Sequence, residues 1–476
     1  MFKQYINGKL VDGLGKKADV INPADGSVID SLYLATKEQA EEALEAAARA
    51  FKTWSKTPVN ERISWMLKLR EACINEREKL IELVSAESGR PYPAAAGDVD
   101  WFITSCGFYS DEVKRVLGMS FPVLDKAPGA SLHLVERQPI GVVVGHVAWN
   151  YPLGNASIKL CPSVVSGCAC IIKPSSQTPL ATLYIGELAA KIGFPAGVIN
   201  IISGPSGEVA KTLNSSSIPK MITLIGSSET GLQVMREAAT SVKKFSFELG
   251  GNAPVVVMDD VDVDQVAANI IAKKVTFAGQ TCVNYNRIYV HEKVYSKLVD
   301  AVEEQLKQIV PGKWKDPGYI ICPMIDKKAR DRMIELIDDA VAAGAKLVSG
   351  GNIPEGYEAG SYIMPALLKD VTDDMRVSKE EIFGPIIPIQ PFSELNEALE
   401  KANNTIYGLS AYFFGHRAPD IAKACQAFEA GEIFVNGAGG NEFVPHSGVK
   451  QSGIGCDKSF WSLEEYFDFK YLSVIP

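Results

Sequence analysis

Histidine is scarce in this chain: there are 5 among 476 residues, and no two stand at ligand spacing. Cys168-Ala169-Cys170 also lacks the CxxC interval, so no metal site is expected. Positive charge is in deficit, with 48 Lys and Arg against 57 Asp and Glu and a net charge of -9. A nucleic-acid partner would want a basic face, so that class is set aside. Long apolar runs are missing, and nothing approaches the length needed to cross a bilayer. The opening Met1-Phe2-Lys3-Gln4-Tyr5-Ile6-Asn7-Gly8 has no long apolar core and does not read as a signal peptide. The 9 cysteines are odd in number and follow no disulfide framework, which points to a reducing cytoplasm. The full G-x-G-x-x-G fingerprint is absent as well, so no single motif announces a nucleotide site.

What is present reads as a soluble globular chain long enough for about two or three domains. Thr36-Lys37-Glu38-Gln39 is a capping box and opens an alanine-rich helix to about Trp54. A second helix is expected from Asn60 to Gly89 and a third from Ala94 to Leu117. Residues 121–138 alternate polar and apolar side chains, carry Pro122 and Pro128, and read as an extended arm. From Gly141 the pattern becomes a beat of apolar runs and helices: Val142 to Val147, Cys168 to Lys173, Met221 to Ile225 and Phe245 to Leu249. Alternation at this interval predicts an α/β fold with a parallel sheet covered on both faces. A second series opens at Ala253, which puts a boundary near Gly250-Gly251. The tail, from Glu464 to Pro476, alternates again and reads as a strand.

Four stretches offer chemistry. Phe277-Ala278-Gly279-Gln280-Thr281-Cys282 places a thiol at the junction of a helix and a strand. Such a cysteine is either a packing residue or a nucleophile that substrate can reach. The strand Met221 to Ile225 turns at Gly226 and Ser227 into a helix. The helix N-terminus there suits a pyrophosphate, and the alternative is a plain strand-to-helix turn. Glu248, before Leu249-Gly250-Gly251, is a carboxylate on a rigid strand end, suited either to general-base work or to capping a turn. Asn150 follows the first strand of the parallel sheet, where it either donates its amide to an oxyanion or forms an Asx turn before Pro152.

Taken in order, Trp149-Asn150-Tyr151-Pro152, Lys173-Pro174-Ser175-Ser176, Gly226-Ser227, Glu248-Leu249-Gly250-Gly251, Gly279-Gln280-Thr281-Cys282 and Glu381-Ile382-Phe383-Gly384-Pro385 resemble the aldehyde dehydrogenase superfamily. The resemblance runs over essentially the whole chain. It implies a Rossmann-like cofactor domain (residues 1–120 and 139–249), an α/β catalytic domain (250–450) and a small β oligomerisation arm (121–138 and 460–476). It implies that Cys282 attacks an aldehyde, that Asn150 holds the oxyanion, and that Glu248 activates water against the resulting thioester. Lys159 matches a lysine linked to proton relay, and Asp457 stands where many members have glutamate. Trp149, Gly226 and Ser227 match positions near the pyrophosphate, Lys173 one on the adenosine ribose, and Glu381 with Phe383 the nicotinamide ribose. The implied cofactor is NAD or NADP, and the implied assembly is a homodimer or homotetramer.

The departures from the family pattern concern selectivity. Ser176 replaces the glutamate usual in NAD-preferring members, so NADP is expected to be accepted. Asn252 replaces the usual lysine, Cys456 the arginine frequent before position 457, and Pro445-His446-Ser447-Gly448 the usual PFGG. A CoA-acylating relative would commonly lack the Glu248 carboxylate, so hydrolysis is expected over acylation. Succinic semialdehyde dehydrogenases carry arginines at the positions of Ile158 and Thr276, so that substrate ranks low here. Gly154, Asn155, Thr276 and His446 stand where bulky apolar residues often line the tunnel, beside an aromatic Tyr151. A small polar aldehyde is therefore the expected substrate.

Overall fold

The computed structural model describes residues 1–116, 118–121, 132–313, 315–316, 320–437 and 439–474. Most of the expected arm, residues 122–131, and the last two tail residues lie outside the described residues.

Among the described residues, the first large sheet runs Lys9–Val11, Gln4–Ile6, Ile199–Ile201, Ala169–Lys173, Val142–His146, Pro219–Ile225, Lys244–Glu248 and Gly453–Ile454. The five strands from Ile199–Ile201 to Lys244–Glu248 are parallel. Val142–His146 and Ala169–Lys173 are buried at every residue, as a sheet covered on both faces requires. The chain leaves Val142–His146 toward Ala169–Lys173 on one side and returns as Pro219–Ile225 on the other. That reversal opens a crevice at the carboxyl ends of the two strands, where ligands of open α/β sheets gather.

The second large sheet runs Lys346–Ser349, Ala366–Lys369, Ile386–Phe392, Tyr285–His291, Ala253–Val257, Ser410–Phe414 and Glu432–Val435. All its pairings are parallel except the first. One apolar cluster spans Tyr5 to Leu249 and takes in Leu463, Tyr466 and Phe467; the next begins at Ala253. The carboxyl end of Lys244–Glu248 and the amino ends of Ala253–Val257 and Tyr285–His291 face one another across the Gly250-Gly251 link.

One expectation needs correction. The single helix expected from Asn60 to Gly89 is two, Val59–Asn75 and Arg77–Ser88. Glu76 breaks it with φ -110° and ψ 19°, and its carboxylate accepts a hydrogen bond from the Tyr184 hydroxyl at 3.1 Å. The described residues of the arm and the tail form strands. They pair with each other within the chain: Phe467–Val474 lies antiparallel to Leu132–Pro139, from Phe467 opposite Pro139 to Val474 opposite Leu132. Met119–Phe121 completes this three-stranded sheet on the far side of Leu132–Pro139.

Candidate active site

The segment before Cys282 leaves its helix abruptly. Phe277, Ala278 and Gly279 take φ of 51°, 50° and 69°, a left-handed run that L-residues avoid. Surrounding bonds hold this strain. The Gln280 amide is fully buried, donating to Phe277 O at 3.1 Å and Pro323 O at 3.2 Å. Its oxygen accepts from Ile325 N at 2.8 Å. Asn284 donates to Gly279 O at 2.7 Å and to Gly384 O at 3.2 Å. A Cβ on Gly279 would lie 2.6 Å from Gly384 O, so only glycine fits that turn.

Asn150 reaches this loop from the other sheet. Its Nδ2 donates to Gln280 O at 3.3 Å, and its Oδ1 accepts from Asn155 Nδ2 at 3.1 Å. Asn155 thereby fixes which end of the Asn150 amide points toward the cysteine loop. The Arg90 guanidinium donates to the Asn150 backbone oxygen. It lies between two rings, 3.8 Å from the Tyr151 centroid and 3.9 Å from that of Phe277. Asp98 accepts the backbone N–H of Leu153 at 3.0 Å and of Gly154 at 2.9 Å, anchoring the start of helix Pro152–Ser166.

Glu248 ends its strand with a buried side chain, and its Oε1 has no hydrogen-bond partner among the described residues. That oxygen is 3.6 Å from His446 Nε2, which in turn is 4.0 Å from Cys282 Sγ. The three donor atoms lie within 4.8 Å of one another. Burial, with the charge of Glu248, pushes the Cys282 thiol up to about 12, while His446 works in the opposite direction.

The remaining expected residues are placed as follows. Trp149, Asn150, Gly226, Glu248, Cys282, Glu381 and Phe383 line one cavity. Lys173, Ser175 and Ser176 line a second, which shares Trp149, Gly226 and Ser227 with the first. Trp149 packs edge-on against Phe383 at 5.3 Å and Phe277 at 6.1 Å. Ser227 caps helix Ser228–Ala238, its Oγ accepting from Thr230 N at 3.1 Å. Glu381 accepts from Gly251 N at 2.9 Å, and burial pushes its carboxyl up to about 7 with help from Glu248. Burial likewise pulls the Lys173 ammonium down to about 8. Lys159 is fully buried and donates to Asp457 Oδ1 at 2.5 Å; it lines neither cavity.

The second cavity offers a dinucleotide what it needs: an ammonium, two hydroxyls and the N-terminal end of an 11-residue helix. The first offers a thiol, a carboxylate and an amide around one point. Arg90, Glu432 and the orienting role of Asn155 escaped the sequence reading. Arg90 comes from the link between the helices Arg77–Ser88 and Tyr92–Glu112, and no local pattern signals it. Asn155 lies about one turn beyond Asn150, a spacing that could have marked the pair.

The family model described as the aldehyde dehydrogenase family matches residues 10–472. An NADP(+) succinate-semialdehyde dehydrogenase of Escherichia coli is 34% identical over 100% of this chain and 98% of its own length. A glutarate-semialdehyde dehydrogenase of Pseudomonas putida is 35% identical, again over 100% of this chain and 98% of its own. Among solved structures, betaine aldehyde dehydrogenase from Staphylococcus aureus in complex with NAD+ superposes with a TM-score of 0.95 at 30% identity, covering 99% of this chain and 94% of that one.

Proposed function

The chain belongs to the aldehyde dehydrogenase family and oxidises an aldehyde with NAD or NADP; from that premise we propose how its residues divide the work and which aldehyde they accept. The observation that carries the reading is the convergence of Cys282, Glu248 and Asn150 on one cavity. Residues 1–120 and 139–249 bind the cofactor and residues 250–450 supply the thiol, a division supported by the separate apolar clusters.

Cys282 Sγ adds to the aldehyde carbon, and the developing oxyanion meets Asn150 Nδ2 and the Cys282 backbone N–H. NAD or NADP, when bound, supplies the hydride acceptor. Trp149 and Phe383 wall its cavity, Glu381 and Lys173 hold the two riboses, and Gly226 with Ser227 receives the pyrophosphate. Lys159, paired with Asp457, serves proton movement behind the site. The thioester left on Cys282 is hydrolysed by water that Glu248 deprotonates; the unpartnered Oε1 is free to accept that proton. Cys282→Ala is expected to abolish turnover. Glu248→Gln is expected to lose about 10²–10⁴-fold in steady-state rate and to accumulate an acyl adduct on Cys282, visible by mass spectrometry. Undiminished turnover in both variants would sink the assignment.

The substrate is a small aldehyde with a hydrogen-bonding group. Asn155 and His446 are polar at positions close to Asn150 and Cys282, where an aliphatic chain would give their groups no partner. Neither Ile158 nor Thr276 is basic, so the chain lacks arginine at these two positions for a far carboxylate, although relatives named for succinate and glutarate semialdehyde match it. A steady rise of kcat/KM along the aliphatic series from propanal to decanal would contradict this reading.

Both cofactors are used. Ser176 is exposed at the rim of the second cavity and puts no negative charge against a 2′-phosphate. Ser176→Glu is expected to lower kcat/KM for NADP by about tenfold or more and to leave that for NAD in place. Lys173 supplies the attracting charge below its pKa of about 8. The NADP-to-NAD efficiency ratio should therefore fall as pH rises through about 8. A ratio flat from pH 6 to 9.5, or an unaltered Ser176→Glu ratio, counts against it.

The protein assembles as a homodimer or homotetramer. The three-stranded sheet leaves Phe467–Val474 at an edge with Phe469, Tyr471 and Val474 exposed, an edge suited to a second copy. Among the described residues no helix is long and apolar enough to cross a membrane. All nine cysteines are free thiols, in keeping with a reducing compartment such as the cytoplasm. Light scattering that reports only monomer at micromolar protein would exclude the assembly.

A further inference from the structure

One ionisable group beside Cys282 has no part in the proton transfers of the proposed reaction. His446 stands between the two reacting side chains, with Nε2 4.0 Å from Cys282 Sγ and 3.6 Å from Glu248 Oε1. Its other nitrogen, Nδ1, is 3.0 Å from Glu432 Oε1. Its backbone is fixed by a reciprocal pair with Asp457, His446 N to Asp457 O and Asp457 N to His446 O, each at 2.8 Å. Glu432 opens the strand Glu432–Val435 and is itself only 13% exposed. A nucleophile, an imidazole and an orienting carboxylate therefore stand in line, the arrangement by which a thiol is made reactive.

We propose that His446, oriented by Glu432, takes the thiol proton of Cys282 and so generates the nucleophile, leaving Glu248 to act only on water. With Nδ1–H donated to Glu432, the Nε2 lone pair faces Sγ. The S–H bond breaks, its electron pair stays on sulfur, and the proton forms an Nε2–H bond. The thiolate then adds to the carbonyl carbon, and the carbonyl π pair moves to the oxygen beside Asn150. The 4.0 Å separation is within reach of a long hydrogen bond to sulfur.

The surroundings favour the imidazolium that results. Glu432, 3.0 Å from Nδ1, and Glu248, 3.6 Å from Nε2, place opposite charge beside the ring. Asp457, Glu442 and Cys456 also feel its charge. Lys273 is the cation on the facing side, where it meets Cys282 and Glu432. His446 and Glu248 differ in what holds them: Nδ1 of His446 is tied to Glu432, whereas Glu248 Oε1 has no hydrogen-bond partner among the described residues.

The inference rests on Cys282 being the nucleophile, which the acyl adduct of Glu248→Gln tests by itself. The direct measurement is the rate of Cys282 alkylation by iodoacetamide from pH 5 to 10, followed by peptide mass spectrometry without aldehyde or cofactor. His446→Phe and the smaller change His446→Gln are expected to slow alkylation at pH 7 by about tenfold or more and to move the midpoint up by about one pH unit or more. Glu432→Gln, which keeps an acceptor for Nδ1–H but removes its negative charge, is expected to fall between these and wild type. Single-turnover NAD(P)H formation should slow in the same order, whereas a purely structural role would lower the melting temperature without moving the alkylation midpoint. Wild-type alkylation profiles in both His446 variants, with the acyl adduct of Glu248→Gln still seen, would overturn the role of His446 and leave the nucleophile intact. If His446→Phe does not fold, the His446→Gln profile decides.

Discussion

The site depends on a place where no side chain fits. A Cβ on Gly251 would lie 2.4 Å from the Cys282 carbonyl oxygen, and one on Gly250 would lie 2.9 Å from Glu381 Oε2. Because both are glycine, the carboxyl edge of one parallel sheet closes against the amino edge of the other. Glu248 is then delivered from one side and Cys282 from the other. Any larger residue at 251 would push the thiol away from the carboxylate, and the cavity would lose its reacting pair.

Around that contact the protein spends buried polar groups on orientation. Asn150 is held by Asn155 and Arg90, the cysteine loop by Gln280 and Asn284, and the start of helix Pro152–Ser166 by Asp98. Each removes a rotation that would otherwise have to be frozen when substrate arrives. The left-handed run from Phe277 to Gly279 is tolerated because these bonds hold it. Unpaired groups are kept for the chemistry: Glu248 Oε1 is buried and open, and the Cys282 thiol faces the cavity.

Electrostatics divides the cleft in two. Around Cys282, carboxyl groups dominate, and burial, with the charge of Glu248, pushes those of Glu381 and Asp457 up. At the far end, Lys173 lies beside hydroxyls, and burial weakens its hold on its proton. An anionic cofactor therefore finds its attraction away from the reacting atoms. The reacting end holds a histidine among acids, a setting that favours proton transfer within the cavity.

Much of this was legible in the residues. Parallel sheets bury both faces, so Val142 to Val147 and Ala253 to Met258 had to be continuous apolar runs, and the alternation of strand and helix follows from that burial. The glycines at 250, 251 and 279 are local statements about backbone, because a Cβ at each would come within 2.9 Å of a neighbouring atom. The break at Glu76 was not legible, since Asn60 to Gly89 carries a helical pattern throughout and the interruption is set by packing against Tyr184. Tertiary structure alone decided that Arg90 would sit between Tyr151 and Phe277, and that the tail would pair with the arm of its own chain. It also decided that His446, one of five histidines with no partner in sequence, would meet Cys282, Glu248 and Glu432. Spacing along a chain reports neighbours on one helix or strand; the meeting of residues 164 positions apart depends on how two sheets close over a pair of glycines.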